Sequence, residues 1–179
     1  MINSANGAPG IITFSGSVAA DTITIGNTAK AGSALFSGTV TGTNINIVGG
    51  DASGEASLGN FANTVTVTAI TLDNNADTAT AQFSGAGKTI TGTIDGLATT
   101  EGSIIVSTPG TPTFVNAIGA TYRPSQLTIG GATTFQAAVK TVALTTTAAI
   151  SNGTSLDVSG VSSIGGDVTT TGTQTYTGA

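Results

Sequence analysis

The chain has no histidine, no cysteine and no tryptophan. Without histidine, catalytic triads that need an imidazole base are impossible, and imidazole metal sites go with them. Without cysteine there are no thiolate sites and no disulfide staples. Coils that bury one another need no staples, so this absence leaves the compartment open. Charge is also scarce, at 7% of residues against roughly 25% in ordinary soluble domains. The four cations, Lys30, Lys88, Arg123 and Lys140, are scattered among nine acids. Such a set cannot track a phosphate backbone, so nucleic acid is not an expected partner. Apolar runs long enough to span a bilayer are missing, and no membrane insertion is expected. Neither a basic segment nor an apolar segment follows Met1-Ile2-Asn3-Ser4. Met1 therefore reads as the start of a segment excised from a longer protein, or of a chain exported by another route. No cofactor and no enzymatic activity are expected.

What the chain does hold is glycine, 26 residues of it, with abundant Thr, Ser, Ala, Val, Ile and Asn. Disordered chains are poor in β-branched residues and usually rich in charge, so a folded, β-rich chain is expected. A unit recurs that begins with a large apolar residue and runs on through small ones. It stands as Phe14-Ser15-Gly16-Ser17-Val18, Phe36-Ser37-Gly38-Thr39-Val40, Phe61-Ala62-Asn63-Thr64-Val65 and Phe83-Ser84-Gly85. Looser copies begin at Phe114, Phe135, Leu156 and Tyr176. Successive markers keep a nearly constant spacing, with one longer interval between Phe83 and Phe114. Every phenylalanine of the chain falls on this register.

Between these markers the chain alternates apolar with polar, as in Thr22-Ile23-Thr24-Ile25 and Asn44-Ile45-Asn46-Ile47. Alternation of this kind buries one face of a strand and wets the other. The runs end at Gly-Asn, Gly-Gly and Asn-Asn pairs suited to tight corners. Short strands with frequent turns fit a β-sandwich or a solenoid, and the long-period register favours the solenoid. The expectation is an all-β parallel β-helix of roughly 20–25 residues per coil and about eight coils, a rod on the order of 40 Å long. Phe14, Phe36, Phe61, Phe83, Phe114, Phe135, Leu156 and Tyr176 would form its inner ladder. The alternative is a β-sandwich. One segment is expected over residues 1–179, with a longer loop region around 96–125 that accounts for the long interval.

The closing phrase Gly165-Gly166-Asp167-Val168-Thr169-Thr170-Thr171-Gly172-Thr173-Gln174-Thr175-Tyr176-Thr177-Gly178 resembles a refrain of very large bacterial adhesins of the filamentous-haemagglutinin type. The stretch from Ile70-Thr71-Leu72-Asp73-Asn74-Asn75 to Ile94-Asp95-Gly96 is similar in texture to autotransporter passenger domains. The resemblance implies a right-handed helix, secreted across or displayed on the outer membrane of a Gram-negative bacterium. It also implies that the chain is part of something longer.

Few residues suggest chemistry. Asp73 with Asp77, and Asp51 with Glu55, are the acid pairs to weigh for glycoside cleavage, but both lie in turn-like segments and read as solvated turn acids. Asp73, Asn75 and Asp77 are calcium candidates by donor type, without the bidentate glutamate or tandem copy that a dedicated loop carries. Gly49-Gly50-Asp51 and Gly165-Gly166-Asp167 lack the tandem nonapeptide pattern of calcium-binding β-rolls. The pairs Thr22/Thr24, Thr66/Thr68, Thr89/Thr91 and Thr145/Thr147 sit at different offsets from the preceding marker, so a single flat threonine array is not expected. Asn152-Gly153-Thr154 is a sequon that reads more simply as a turn. The function expected is a structural or adhesive rod segment, self-associating through open solenoid ends, with ligands on host or neighbouring cells as further partners. A rival is a carbohydrate-binding or carbohydrate-cleaving β-helix working near residues 96–125 through Asp95 or Glu101. A third reading is a surface-layer or fibre subunit.

Overall fold

The computed structural model describes residues 10–178. They form a parallel β-solenoid of nineteen strands, and among the described residues there is no helix. Numbered in chain order, the first sheet stacks β1 (Ile11–Phe14), β3 (Ser33–Phe36), β5 (Ser57–Phe61), β7 (Ala79–Phe83), β9 (Ser103–Val106), β11 (Gln126–Ile129), β14 (Ala143–Thr146) and β17 (Ser162–Ile164). The second stacks β2 (Val18–Ile25), β4 (Val40–Val48), β6 (Val65–Asp73), β8 (Ala86–Gly96), β10 (Thr111–Phe114), β12 (Thr133–Phe135), β15 (Ile150–Asn152) and β18 (Val168–Thr170). A third holds β13 (Val139–Thr141), β16 (Leu156–Val158) and β19 (Gln174–Tyr176).

The long strands β2, β4, β6 and β8 turn a corner and supply the third face as well as the second. Parallel bridges from Ile94 to Ile118 and from Ile118 to Val139 join their distal halves to β13. The corner is visible in the sequence as a change of phase. Val65 and Val67 point inward at the start of β6, then Ile70 and Leu72 do so after an extra residue. In β8 the corner falls at Gly92, whose φ of +128° suits glycine.

Every pairing between named strands is parallel, and each strand's sheet neighbour lies one coil away, which excludes a sandwich of hairpins. On the first sheet, Phe14 pairs with Phe36, then in turn come Phe61, Phe83, Val106, Ile129, Thr146 and Ile164. The coils are wide as far as Ile129. The last two, from Ile129 to Thr146 and from Thr146 to Ile164, take clearly fewer residues.

This register shows what the long interval is. Phe83 is followed on its own sheet by Val106, whereas Phe114 lies one face further on, paired with Ile90 and Phe135. Leu156 lies on the third face with Val158, and Tyr176 follows Val158 there. The backbone positions thus spread over three faces where one ladder was expected. The rings nevertheless form a single stack through the core. Phe14, Phe36, Phe61 and Phe83 follow one another at 5.0, 5.2 and 5.5 Å. Phe83 meets Phe114 edge-on at 5.0 Å and 89°, where the stack changes face, and Phe135 lies 5.1 Å beyond. Tyr176 departs from the core expectation: it is 38% exposed, because it lies on the last described coil and has a neighbour on one side only. The 96–125 stretch is also not one loop. It holds β9, β10 and the third-face bridge residue Ile118, with corners at 97–102 and 119–125.

Side-chain volume is balanced across the interior. On the third face one inward row runs Ile25, Ile47, Leu72, and opposite it the first sheet carries Ala34, Gly59 and Ala81. A Cβ on Gly59 would lie 2.9 Å from the Cδ1 atoms of both Ile25 and Ile47. One coil later Gly96 takes the place of Leu72, and Ile104 and then Leu127 replace the small residues. Large and small positions exchange sides at that coil, which keeps total volume near constant.

Candidate functional site: the corner ridge and the outer hydroxyl row

In the wide coils, the corner between the third face and the first sheet is made by segments 26–32, 49–56, 74–78, 97–102 and 119–125. In the narrow coils the same corner shrinks to residue 142 and then to 159–161, which accounts for most of the shortening; the rest is lost between the first and second sheets. These segments stack into a ridge that carries much of the charge, including Lys30, Asp51, Glu55, Asp77, Glu101 and Arg123.

Several acids at or beside the ridge accept from backbone groups. Asp73 Oδ1 accepts from the Asn75 N–H at 3.0 Å. Asp77 accepts from the N–H groups of Thr78 and of Gly54, one coil away, each at 2.6 Å. Those bonds hold its carboxyl below the ordinary range, led by the one from Thr78. Asn75, at φ +46°, donates its side-chain amide to the Thr28 carbonyl at 3.0 Å. The three calcium candidates thus each serve a separate turn contact, and among the described residues no three acids are gathered around a common point.

Asn74, beside these candidates, accepts on Oδ1 from the N–H groups of Ala79 (3.0 Å) and Gly102 (2.8 Å), tying two coils together. Asp95 Oδ1 accepts from Thr121 and Tyr122, and Glu101 Oε2 accepts from Ala98. Both therefore shape corners. Glu55 Oε1 meets Lys30 Nζ at 3.2 Å, while its Oε2 is buried without a partner.

Arg123 makes the strongest contact of the ridge. Its Nη2 donates to Asp157 Oδ2 at 2.5 Å, and its Nη1 donates to the Asp157 carbonyl at 3.1 Å. The guanidinium bond, aided by its charge and that of Lys140, holds Asp157 below the usual carboxylate range against a desolvation that opposes it. This clamp spans the step from wide to narrow coils.

Two shallow grooves lie on the outside. One of about 350 Å³ runs beside the ridge between Thr24, Asn46, Thr71, Asp73, Val48 and the exposed Leu97. The other, about 540 Å³, lies on the second sheet along Thr134, Ser151 and Thr169, with Asp167 at its rim. That second groove follows part of a longer row. The inward residues Val18, Val40, Val65, Ile90, Phe114, Phe135, Asn152 and Thr170 succeed one another by register. Each is preceded by Ser or Thr, so a hydroxyl occupies one outer position on all eight coils.

Of the four threonine pairs singled out earlier, Thr22/Thr24 lie on the third face and Thr145 on the first sheet, so they do not align. The aligned set is Thr39/Thr41, Thr64/Thr66 and Thr89/Thr91, on three consecutive coils. Its signal was the hydroxyl residue just before each ladder position, which the phenylalanine register does not reveal. Asn152 of the sequon is 2% exposed, with its amide donated to the Ser155 carbonyl at 2.9 Å.

Comparison with protein-family models, with curated proteins and with solved structures found no match for the chain.

Proposed function

We propose that the chain is a structural rod segment of a secreted or surface-displayed bacterial protein, serving display and contact in the manner of the adhesins its sequence resembles. The observation that supports this reading is the continuity of the interior. One aromatic stack runs from Phe14 to Phe135, inside sheets whose named strand pairings are all parallel. An interior shared by every coil resists bending, since each coil is packed by its neighbours. The outer positions are filled with Ser, Thr and Asn, which keep the rod wetted at low charge.

The test is where the chain resides. Antibodies raised against the purified protein are expected to label intact, unpermeabilised source cells or their secreted fraction. Labelling confined to permeabilised cells overturns the reading.

A further inference from the structure

We propose that the groove beside the ridge binds a neutral, extended glycan lying along the rod. The inference rests on the reading of the chain as a contact rod and names the chemistry of what it contacts.

The groove lies between two outer rows that run parallel to the solenoid axis. One row is Thr24, Asn46, Thr71 and Asp95, which succeed one another by register. The other begins with Val48 and Asp73, and Leu97 continues it, its N–H bonded to the Leu72 carbonyl one coil earlier. Both rows repeat at the coil rise of about 4.8 Å. The exposed Tyr122 lies one coil further on, its carbonyl accepting from the Gly96 N–H. Away from the first and last coils, Leu97 and Tyr122 are the only large exposed hydrophobics among the described residues. All these side chains stand on the flank of the rod, so further coils at either end would lengthen the face without covering it.

Recognition here falls to side chains. Strands β4 and β6 are paired on both sides, which leaves no edge for an extended peptide to join. Among the described residues, the side chains of Thr24, Asn46 and Thr71 form no hydrogen bond within the protein. Asp73 has one oxygen taken by the Asn75 N–H, and the other is left over. These groups offer donors and acceptors at intervals of one coil, with Val48 and Leu97 as apolar surface beside them. A few placed polar groups against an apolar wall suit a small ligand. A glycan presents the matching set: hydroxyls on the ring edges, apolar C–H faces, and an extended repeat little longer than one coil. Charge narrows the choice. Asp73 and Asp95 are the charged members of the two rows and the whole chain carries −5, so sulfated or uronic chains are repelled.

Saturation-transfer NMR on the purified protein, with cellohexaose, chitohexaose, mannohexaose and the anionic hexagalacturonate as probes, tests this. Transfer is expected to at least one of the three neutral hexamers and not to hexagalacturonate. Asn46→Ala/Leu97→Ala is expected to weaken that binding about tenfold or more, with the β-sheet circular dichroism unchanged. Thr134→Ala/Ser151→Ala, in the other groove, is expected to leave it as it was. No transfer to any neutral hexamer, equal transfer to hexagalacturonate, or binding that survives Asn46→Ala/Leu97→Ala overturns the proposal. So does binding lost in Thr134→Ala/Ser151→Ala. Each of these results leaves the display reading to the labelling of cells.

Discussion

Phe61 has no exposed surface and lies between Phe36 and Phe83 at ring separations of 5.2 and 5.5 Å. Its ring contributes both apolar burial and a filled volume that its rigid neighbours cannot close. Phe61→Ala is therefore expected to cost about 3–5 kcal/mol, read as a fall in the urea midpoint. Tyr176 holds the corresponding marker position in the sequence repeat and is a useful contrast. Burial is enough to raise its phenol pKa, yet 38% of the residue faces solvent. Tyr176→Ala is expected to cost about 1 kcal/mol, since only part of its transfer energy is at stake. Equal losses from the two variants would contradict the placement of both. The two markers look alike in sequence because spacing reports the coil a residue belongs to, and is silent about what covers that coil.

Among the elements, the corner segments decide the coil size, and Arg123 bridges the place where that size changes. Asp157 is the anionic half of this clamp, and its depressed pKa fixes how the clamp responds to acid. A carboxylate whose folded pKa lies below its unfolded value stabilises the fold fully above the unfolded pKa. It loses that contribution as pH falls through the folded one. Asp157→Asn is thus expected to lower stability by about 1 kcal/mol at neutral pH, allowing for the partial exposure of the pair. The gap from the parent should persist down to about pH 4 and close below it, in thermal melts recorded from neutral pH down to about pH 2. A gap independent of pH would mean that the ion pair carries no stability. The strands themselves were legible in the sequence, because Val, Ile and Thr alternate and Gly and Asn punctuate them. The assignment of faces was not. Phe83 and Phe114 stand far apart in the chain because one full coil and one change of face separate them, and a period search reads that as an inserted loop. Arg123 stood out as the lone arginine, but Asp157 lies 34 residues further along the chain and no local pattern links the two.

Over the whole molecule the interior changes character from one end to the other. The first five inward positions of the first sheet ladder are Phe, Phe, Phe, Phe and Val; the last three are Ile129, Thr146 and Ile164. Thr141, Thr146 and Asn152 are buried in the narrow coils, and Ser162 holds a buried hydroxyl without a partner. Polar groups in the interior contribute less transfer energy than the rings they succeed, and an orphaned hydroxyl carries a desolvation cost. In a solenoid, stability is close to a sum over coils and nearest-neighbour contacts, so such a gradient does not average out. The rod should open from the narrow end. Hydrogen exchange resolved by peptide is expected to show β15 to β19 exchanging through sub-global openings at urea concentrations where β4, β6 and β8 remain protected. The Arg123–Asp157 clamp lies between these regions, so the Asp157→Asn variant should lower the urea concentration at which the narrow coils open while leaving the protection of β4 and β6 unchanged. A single exchange profile rising together in every strand would instead mean that the contacts between neighbouring coils couple all eight into one cooperative unit.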